Sequence, residues 1–230
     1  LFTQINFAQI EKVVDSFQFT EGPVWKEGYL LFSDIPANKI YKWNEKDGLS
    51  IFFEPSGNSN GLALDKDGNL LLAQHGKRRL AKLFDDGREI SLINNFYGSK
   101  LNSPNDIAVK SDGTIFFTDP PYGINPEQEE LGYYGIYKLD KENKLYLLDN
   151  SLRRPNGIAF SPDEKLFYVT NSETKDVYVW DFVDGKIINK RLFAKLEPNG
   201  SGDGLKVNSK GRLFCLLYTS PSPRDRTRSR

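Results

Sequence analysis

"RRPNGIAFSPDEKLFYVTNS" (residues 153–172) places an Asn-Gly pair at the head of an apolar alternation, and nearly the same phrase recurs along the chain. Aligned on that Asn, "NGLALDKDGNLLLAQ" begins at Asn60, "NDIAVKSDGTIFFTD" at Asn105 and "DGLKVNSKGRLF" at Asp203. Apolar residues stand two and four positions later in each: Leu62/Leu64, Ile107/Val109, Ile158/Phe160 and Leu205/Val207. Eight positions after the leading residue comes a turn position, occupied by Gly68, Gly113, Glu164 and Gly211. An earlier copy, "EGPVWKEGYLLFSD" from Glu21, has the same form with its turn one residue shorter.

Alternation predicts a strand, the turn a hairpin, and the apolar run after it a returning strand. The leading residues 21, 60, 105, 156 and 203 are 39, 45, 51 and 47 apart. Further strand-like pieces lie between the units, among them "KIYKWN" (39–44), "GIYKLD" (135–140) and "VYVWDF" (177–182). Four short strands in about 40 to 50 residues is the repeat of a β-propeller blade, so the expected fold is all-β, with four-stranded antiparallel blades. A β-sandwich with fortuitous turn similarity does not account for an offset of eight in four copies. Only "IEKVVDSF" (10–17) reads equally well as helix or strand.

Composition agrees. Aromatic residues are 13% of the 230, mostly 16 Phe and 11 Tyr, a bias that favours strands. Lys+Arg and Asp+Glu are both 31, so no global field draws the chain to nucleic acid or to an anionic membrane, and no apolar run has the length of a membrane helix. A single Cys excludes an intrachain disulfide framework and a thiolate metal cluster. Methionine is absent even at position 1, which leads to the expectation that the natural N-terminus lies upstream.

In a propeller the first strand of each blade lines a central channel, and a residue just before it sits at the channel mouth. Glu21, Asn60, Asn105, Asn156 and Asp203 should therefore converge around one axis. Two carboxylates in one mouth raise each other's pKa, and a divalent cation relieves that conflict with carboxamide oxygens completing its shell. The donors are all hard oxygens, which favours Ca2+, then Mg2+ or Mn2+, over Zn2+. Asn-Gly and Asp-Gly are also simply good turn formers, which is the plainer account of Asn60; it does not extend to Glu21, since Glu has no turn role.

"TEGPVW" (20–25), "LNSPNDIAVKSDGTIFFTDPPYGI" (101–124), the opening phrase and "SGDGLKV" (201–207) resemble the SMP-30/gluconolactonase/LRE-like family over about residues 8–214, its bacterial gluconolactonase-like branch above all. The resemblance implies a six-bladed β-propeller, one divalent metal in the channel and hydrolysis of a sugar lactone. It assigns the metal to Glu21, Asn156 and Asp203, and substrate and a metal-linked water to Asn105. In mammalian members an Arg that contacts substrate lies two residues before that Asn; here the position is Ser103, which leaves the particular sugar open.

The mechanism that follows has the lactone carbonyl polarised by the cation, Asp203 as general base and Asn105 orienting water or substrate. Arg154, with Arg153 beside it, is a candidate for substrate hydroxyls. His75, the only histidine, lies beyond an apolar run and is an alternative base or substrate contact, although a lone His is more often structural. "DKDG" (65–68) lacks the downstream Glu of a calcium loop and reads as a turn, and "TDPPYG" (118–123) as a loop that walls the mouth. A non-enzymatic ligand-binding propeller would not need both Glu21 and Asp203 at one mouth. A paraoxonase-type hydrolase would need histidines that this chain does not have, and a strictosidine-synthase-type one a different ligand ring. At about 45 residues per blade, six blades need roughly 270 residues, so a partial propeller of about five blades is expected over 1–214. Residues 215–230, rich in Ser, Pro and Arg, are expected to be a non-native tail, disordered from 219.

Overall fold

The structure is a computed structural model that describes residues 12–196 and 200–219. Four complete antiparallel sheets follow one another along the chain, each a meander in sequence order. The first holds β1 (Thr20–Lys26), β2 (Tyr29–Asp34), β3 (Lys39–Asn44) and β4 (Gly48–Phe53), and the second β5 (Ser59–Leu64), β6 (Leu70–Gln74), β7 (Arg79–Leu83) and β8 (Glu89–Ile93). A small hairpin, β9 (Asn95–Phe96) with β10 (Ser99–Lys100), leads to the third: β11 (Ile107–Val109), β12 (Ile115–Asp119), β13 (Gly135–Leu139) and β14 (Leu145–Asp149). The fourth holds β15 (Pro155–Phe160), β16 (Leu166–Asn171), β17 (Asp176–Val183) and β18 (Lys186–Lys195), and β19 (Gly200–Val207) pairs with β20 (Leu213–Thr219) as the start of a fifth.

The expected all-β blades are borne out, and so are the three intervening pieces, which form β3, β13 and β17. Residues 12–17 of the ambiguous "IEKVVDSF" are neither helix nor strand. β20 runs to Thr219, past the expected break at 214, and residues 220–230 of the expected tail lie outside the described residues.

The recurring turn has a backbone cause. Gly68, Gly113 and Gly211 have φ of +84°, +92° and +75°, a region open to glycine and costly for other residues. Glu164 holds the same position at φ +56°, where its carboxylate accepts bonds from Lys110 Nζ (2.7 Å) and the Ser111 N–H of the preceding blade. The "DKDG" turn is closed by its own chain: Asp65 Oδ1 accepts the Asp67 and Asn69 N–H groups (both 2.9 Å), and its Oδ2 meets Lys82 Nζ at 2.7 Å.

Core residues stack between neighbouring blades. Phe116 of the third blade packs with Phe160 and Phe182 of the fourth, ring centroids 4.9 and 5.5 Å apart, beside Phe167 and Trp180. Leu71, Leu80, Ile107, Phe117 and Tyr137 fill the space between the second and third blades. Truncating one such ring costs about 3–5 kcal/mol, so side-chain packing holds the blades in radial order and thereby aims their first strands at one axis.

Candidate active site in the channel mouth

In four blades the first strand is interrupted by a β-bulge at its leading polar residue. The register shifts between Glu21 and Val24, Ser59 and Leu62, Pro155 and Ile158, and Gly202 and Leu205. In the third blade β11 begins only after Asp106. A bulge turns a side chain out of the alternation, and here it sends each leading residue into the channel. The following glycine permits the crowding: a Cβ on Gly22 would strike the Asn60 carbonyl oxygen, on Gly61 that of Asn105, and on Gly157 that of Asp203.

The side chains meet as a continuous string. Asn60 Nδ2 donates to Asn105 Oδ1 at 2.6 Å, and Asn105 Nδ2 donates to Asn156 Oδ1 at 2.8 Å. Asp203 and Glu21 lie beyond Asn156, near enough for the charge of Asp203 to act on Glu21. All five line a cavity of about 630 Å³, together with His75, Tyr122, Arg154, Ser172 and Ser201. Asp106, fully buried, lies on the opposite side, in a second cavity of about 380 Å³ that shares Glu21, Asn60, Asn105 and Asn156. The ring is thus a partition between two cavities.

Burial, reinforced by Asp203 and Asp106, pushes Glu21 up to about 8, and burial also raises Asp203. Two buried carboxyl groups raised in this way favour a bound proton, which a divalent cation would displace. The donor set fits such an ion: two carboxylates and the Asn156 carbonyl oxygen, which keeps a second lone pair beyond the bond from Asn105. Among the described residues no three His, Cys, Asp or Glu side chains gather as a metal cluster, so an ion held here would draw on carboxamides for the rest of its shell.

His75 reaches the mouth. Asn60 Nδ2 lies 3.3 Å from His75 Nε2; with the amide donating, Nε2 is the acceptor and the ring proton rests on Nδ1. Burial depresses this histidine to about 4. Arg154 lines the cavity, but its guanidinium is half exposed and lies 3.3 Å from Glu173; Arg153 is exposed and away from the lining. Ser103 stands apart from the other expected contacts. Its buried hydroxyl donates to the Pro120 carbonyl at 2.6 Å and accepts from the Gly123 N–H at 2.9 Å, so it ties the wall loop instead of facing the cavity.

Several residues escaped sequence reasoning. The Tyr122 hydroxyl accepts from Asn156 Nδ2 at 3.5 Å, and the same amide donates to Ser172 Oγ at 3.2 Å. Thr118 and Thr170, near the ends of second strands, donate to the main-chain carbonyls of Asn156 (2.7 Å) and Asp203 (2.9 Å), each in the next blade. The recurrence of "SD" (33–34), "TD" (118–119) and "TN" (170–171) at those ends was the available signal.

The SMP-30/Gluconolactonase/LRE-like region model matches residues 19–221. The chain belongs to this family. Among its relatives a gluconolactonase of Zymomonas mobilis is 35% identical, the match covering 90% of this chain and 66% of that protein. A pentonolactonase of Haloferax volcanii is 27% identical over 91% of this chain and 70% of that one. The solved structure of a gluconolactonase from Xanthomonas campestris superposes with a TM-score of 0.83 at 33% identity, covering 88% of this chain and 71% of that chain. The chain thus spans about two-thirds of the length of these relatives. Among the described residues no helix is long and apolar enough to cross a membrane.

Proposed function

We propose that this family member is a metal-dependent lactonase of the gluconolactonase type, acting on the ring ester of a small sugar lactone. The observation that carries the reading is the convergence of the buried Glu21 and Asp203 carboxyl groups in one cavity with the Asn60, Asn105 and Asn156 carboxamides. The names of the Zymomonas and Haloferax relatives support the reaction class. Glu21, Asn156 and Asp203 would hold the ion, Ca2+ in first place for an all-oxygen donor set. When bound, such an ion polarises the lactone carbonyl and stabilises the charge that develops on its oxygen.

The remaining work falls to the protein's own groups. A carboxylate oxygen of Asp203 accepts the proton of the attacking water, whose oxygen bonds to the carbonyl carbon. As the ring C–O bond breaks, that proton passes to the departing ring oxygen, leaving a hydroxy acid. Asn105, fixed between Asn60 and Asn156, orients water and substrate. Tyr122, Ser172 and Arg154 face the cavity where sugar hydroxyls would lie. His75, neutral and engaged by Asn60, serves as wall and acceptor; its low basicity makes it a poor base.

The test is a panel of aldonolactones assayed by acid release, after EDTA treatment and after return of Ca2+, Mg2+, Mn2+ or Zn2+. Hydrolysis abolished by EDTA and restored by one ion is expected. Absence of hydrolysis with every lactone and every ion would overturn the reading.

A further inference from the structure

In the first four blades the last residue of the second strand pins the segment that leads to the ring residue. Asp34 accepts the N–H groups of Gln18 (3.0 Å) and Phe19 (3.1 Å), one on each carboxylate oxygen. Gln74 Nε2 donates to the Ser56 carbonyl at 2.7 Å, and Asn171 Oδ1 accepts the Arg154 N–H at 3.1 Å. In the third blade the residue is Asp119, and its use is incomplete. Oδ2 accepts the Asn102 N–H at 2.8 Å, but Oδ1 has no partner although the residue is wholly buried.

Its neighbours share the deficit. Among the described residues, the buried side-chain polar atoms without a hydrogen-bond partner are Asp119 Oδ1, Asn102 Oδ1, Arg78 Nη2 and the Tyr137 hydroxyl. Asn102 bonds both Arg78 and Asp119, and Asp119 lies close enough to Tyr137 to act on it. Arg78 Nε donates to the carbonyls of Leu101 (2.7 Å) and Asn102 (3.2 Å), and its positive charge acts on Asp119 without a direct ion pair. Tyr137 lies over Gly135, which pairs with Asp119 across the β12–β13 ladder, and feels the Asp119 charge. Four linked groups without partners contrast with Asp34, whose two carboxylate oxygens are both engaged, and a buried polar atom left unpaired is destabilising.

We propose that one resident water molecule sits between the second and third blades, donating to Asp119 Oδ1 and Asn102 Oδ1 and accepting from Arg78 Nη2 and the Tyr137 hydroxyl. Two acceptors and two donors match the hydrogen-bonding capacity of water. The Asp119 carboxylate excludes an anion, and the Arg78 guanidinium disfavours a cation. The site also sits where the wall loop, residues 120–134, is tied down. Asn102 Nδ2 donates to the Tyr133 carbonyl (3.0 Å) and Ser103 Oγ to that of Pro120, while Glu130 accepts the Lys100 N–H (2.8 Å) and approaches Arg78. The water therefore fixes the loop that presents Tyr122 to the cavity, whatever reaction takes place there.

The test needs no activity. A crystal structure of the whole chain, at a resolution that shows other buried waters, should contain one full-occupancy water within hydrogen-bond distance of all four atoms. A dry cluster, or density for an ion, would overturn the proposal. Tyr137→Phe removes one of the four partners with almost no change in volume, and is expected to speed amide exchange in residues 120–134 about three- to tenfold, as loss of one hydrogen bond implies. Exchange in β15–β18 should stay as it was. Unchanged exchange in the loop, or an equal rise in every blade, would also overturn it.

Discussion

The carboxyl groups of Glu21, in the first blade, and Asp203, in the fifth, line one cavity close enough for the charge of Asp203 to act on Glu21. Chain connectivity does nothing to bring them together; only the radial order of blades does. Asp203→Ala is therefore expected to lower lactone hydrolysis by at least about a hundredfold, the scale of a lost general base. It should also weaken Ca2+ binding measured by calorimetry. Wild-type turnover in this variant would remove Asp203 from the site.

Asn105 joins Asn60 to Asn156 and is buried between them. Asn105→Ala should reduce kcat about tenfold or more while leaving metal affinity near that of the parent chain. A parallel loss of metal binding would make Asn105 a ligand instead of an orienting group.

His75 offers a pH test. Its folded value of about 4 lies below the 6.5 of an unperturbed imidazole, so between those pH values the unfolded chain binds more protons. Stability should therefore fall as pH drops through that window, by on the order of 1 kcal/mol per pH unit at most. His75→Gln removes the titrating group, and denaturant midpoints measured from pH 7 to 4 should flatten. Activity should remain at a tenth or more of the parent value; a loss of several orders of magnitude would return the base role to His75.

Gly61→Ala places a Cβ against the Asn105 carbonyl and the Asp106 Cα, whereas at Gly204 an added Cβ meets nothing within 4 Å. Overpacking of this kind costs about 1–3 kcal/mol, worth several degrees of melting temperature. Gly204→Ala should melt close to the parent. Equal melting of the two variants would show that the inner strands are not in tight contact.

The blades were legible because their turns demand a left-handed residue at a fixed offset, which glycine meets three times at Gly68, Gly113 and Gly211. The ring was legible for a related reason: Glu21, Asn156 and Asp203 lead their units, so counting along the chain places them together. What the count does not carry is the use of a side chain after the loops settle. Ser103 looked like a substrate position by analogy, but the loop closing over it takes both sides of its hydroxyl. Tyr122 reaches the cavity only because ties at both ends of residues 120–134 bring it there. Thr118 reads as an ordinary strand residue until the next blade's carbonyl is placed beside it.

The glycines that follow Glu21, Asn60 and Asn156 press against the next blade's main chain. The bore of the channel is consequently a backbone dimension, fixed by where peptide groups collide and independent of the side chains that project into it. Exchanging Asn for Asp or Glu at a ring position alters the charge presented to a ligand without asking the blades to move. A family built this way can change its chemistry one side chain at a time, while Gly22, Gly61 and Gly157 have no such freedom.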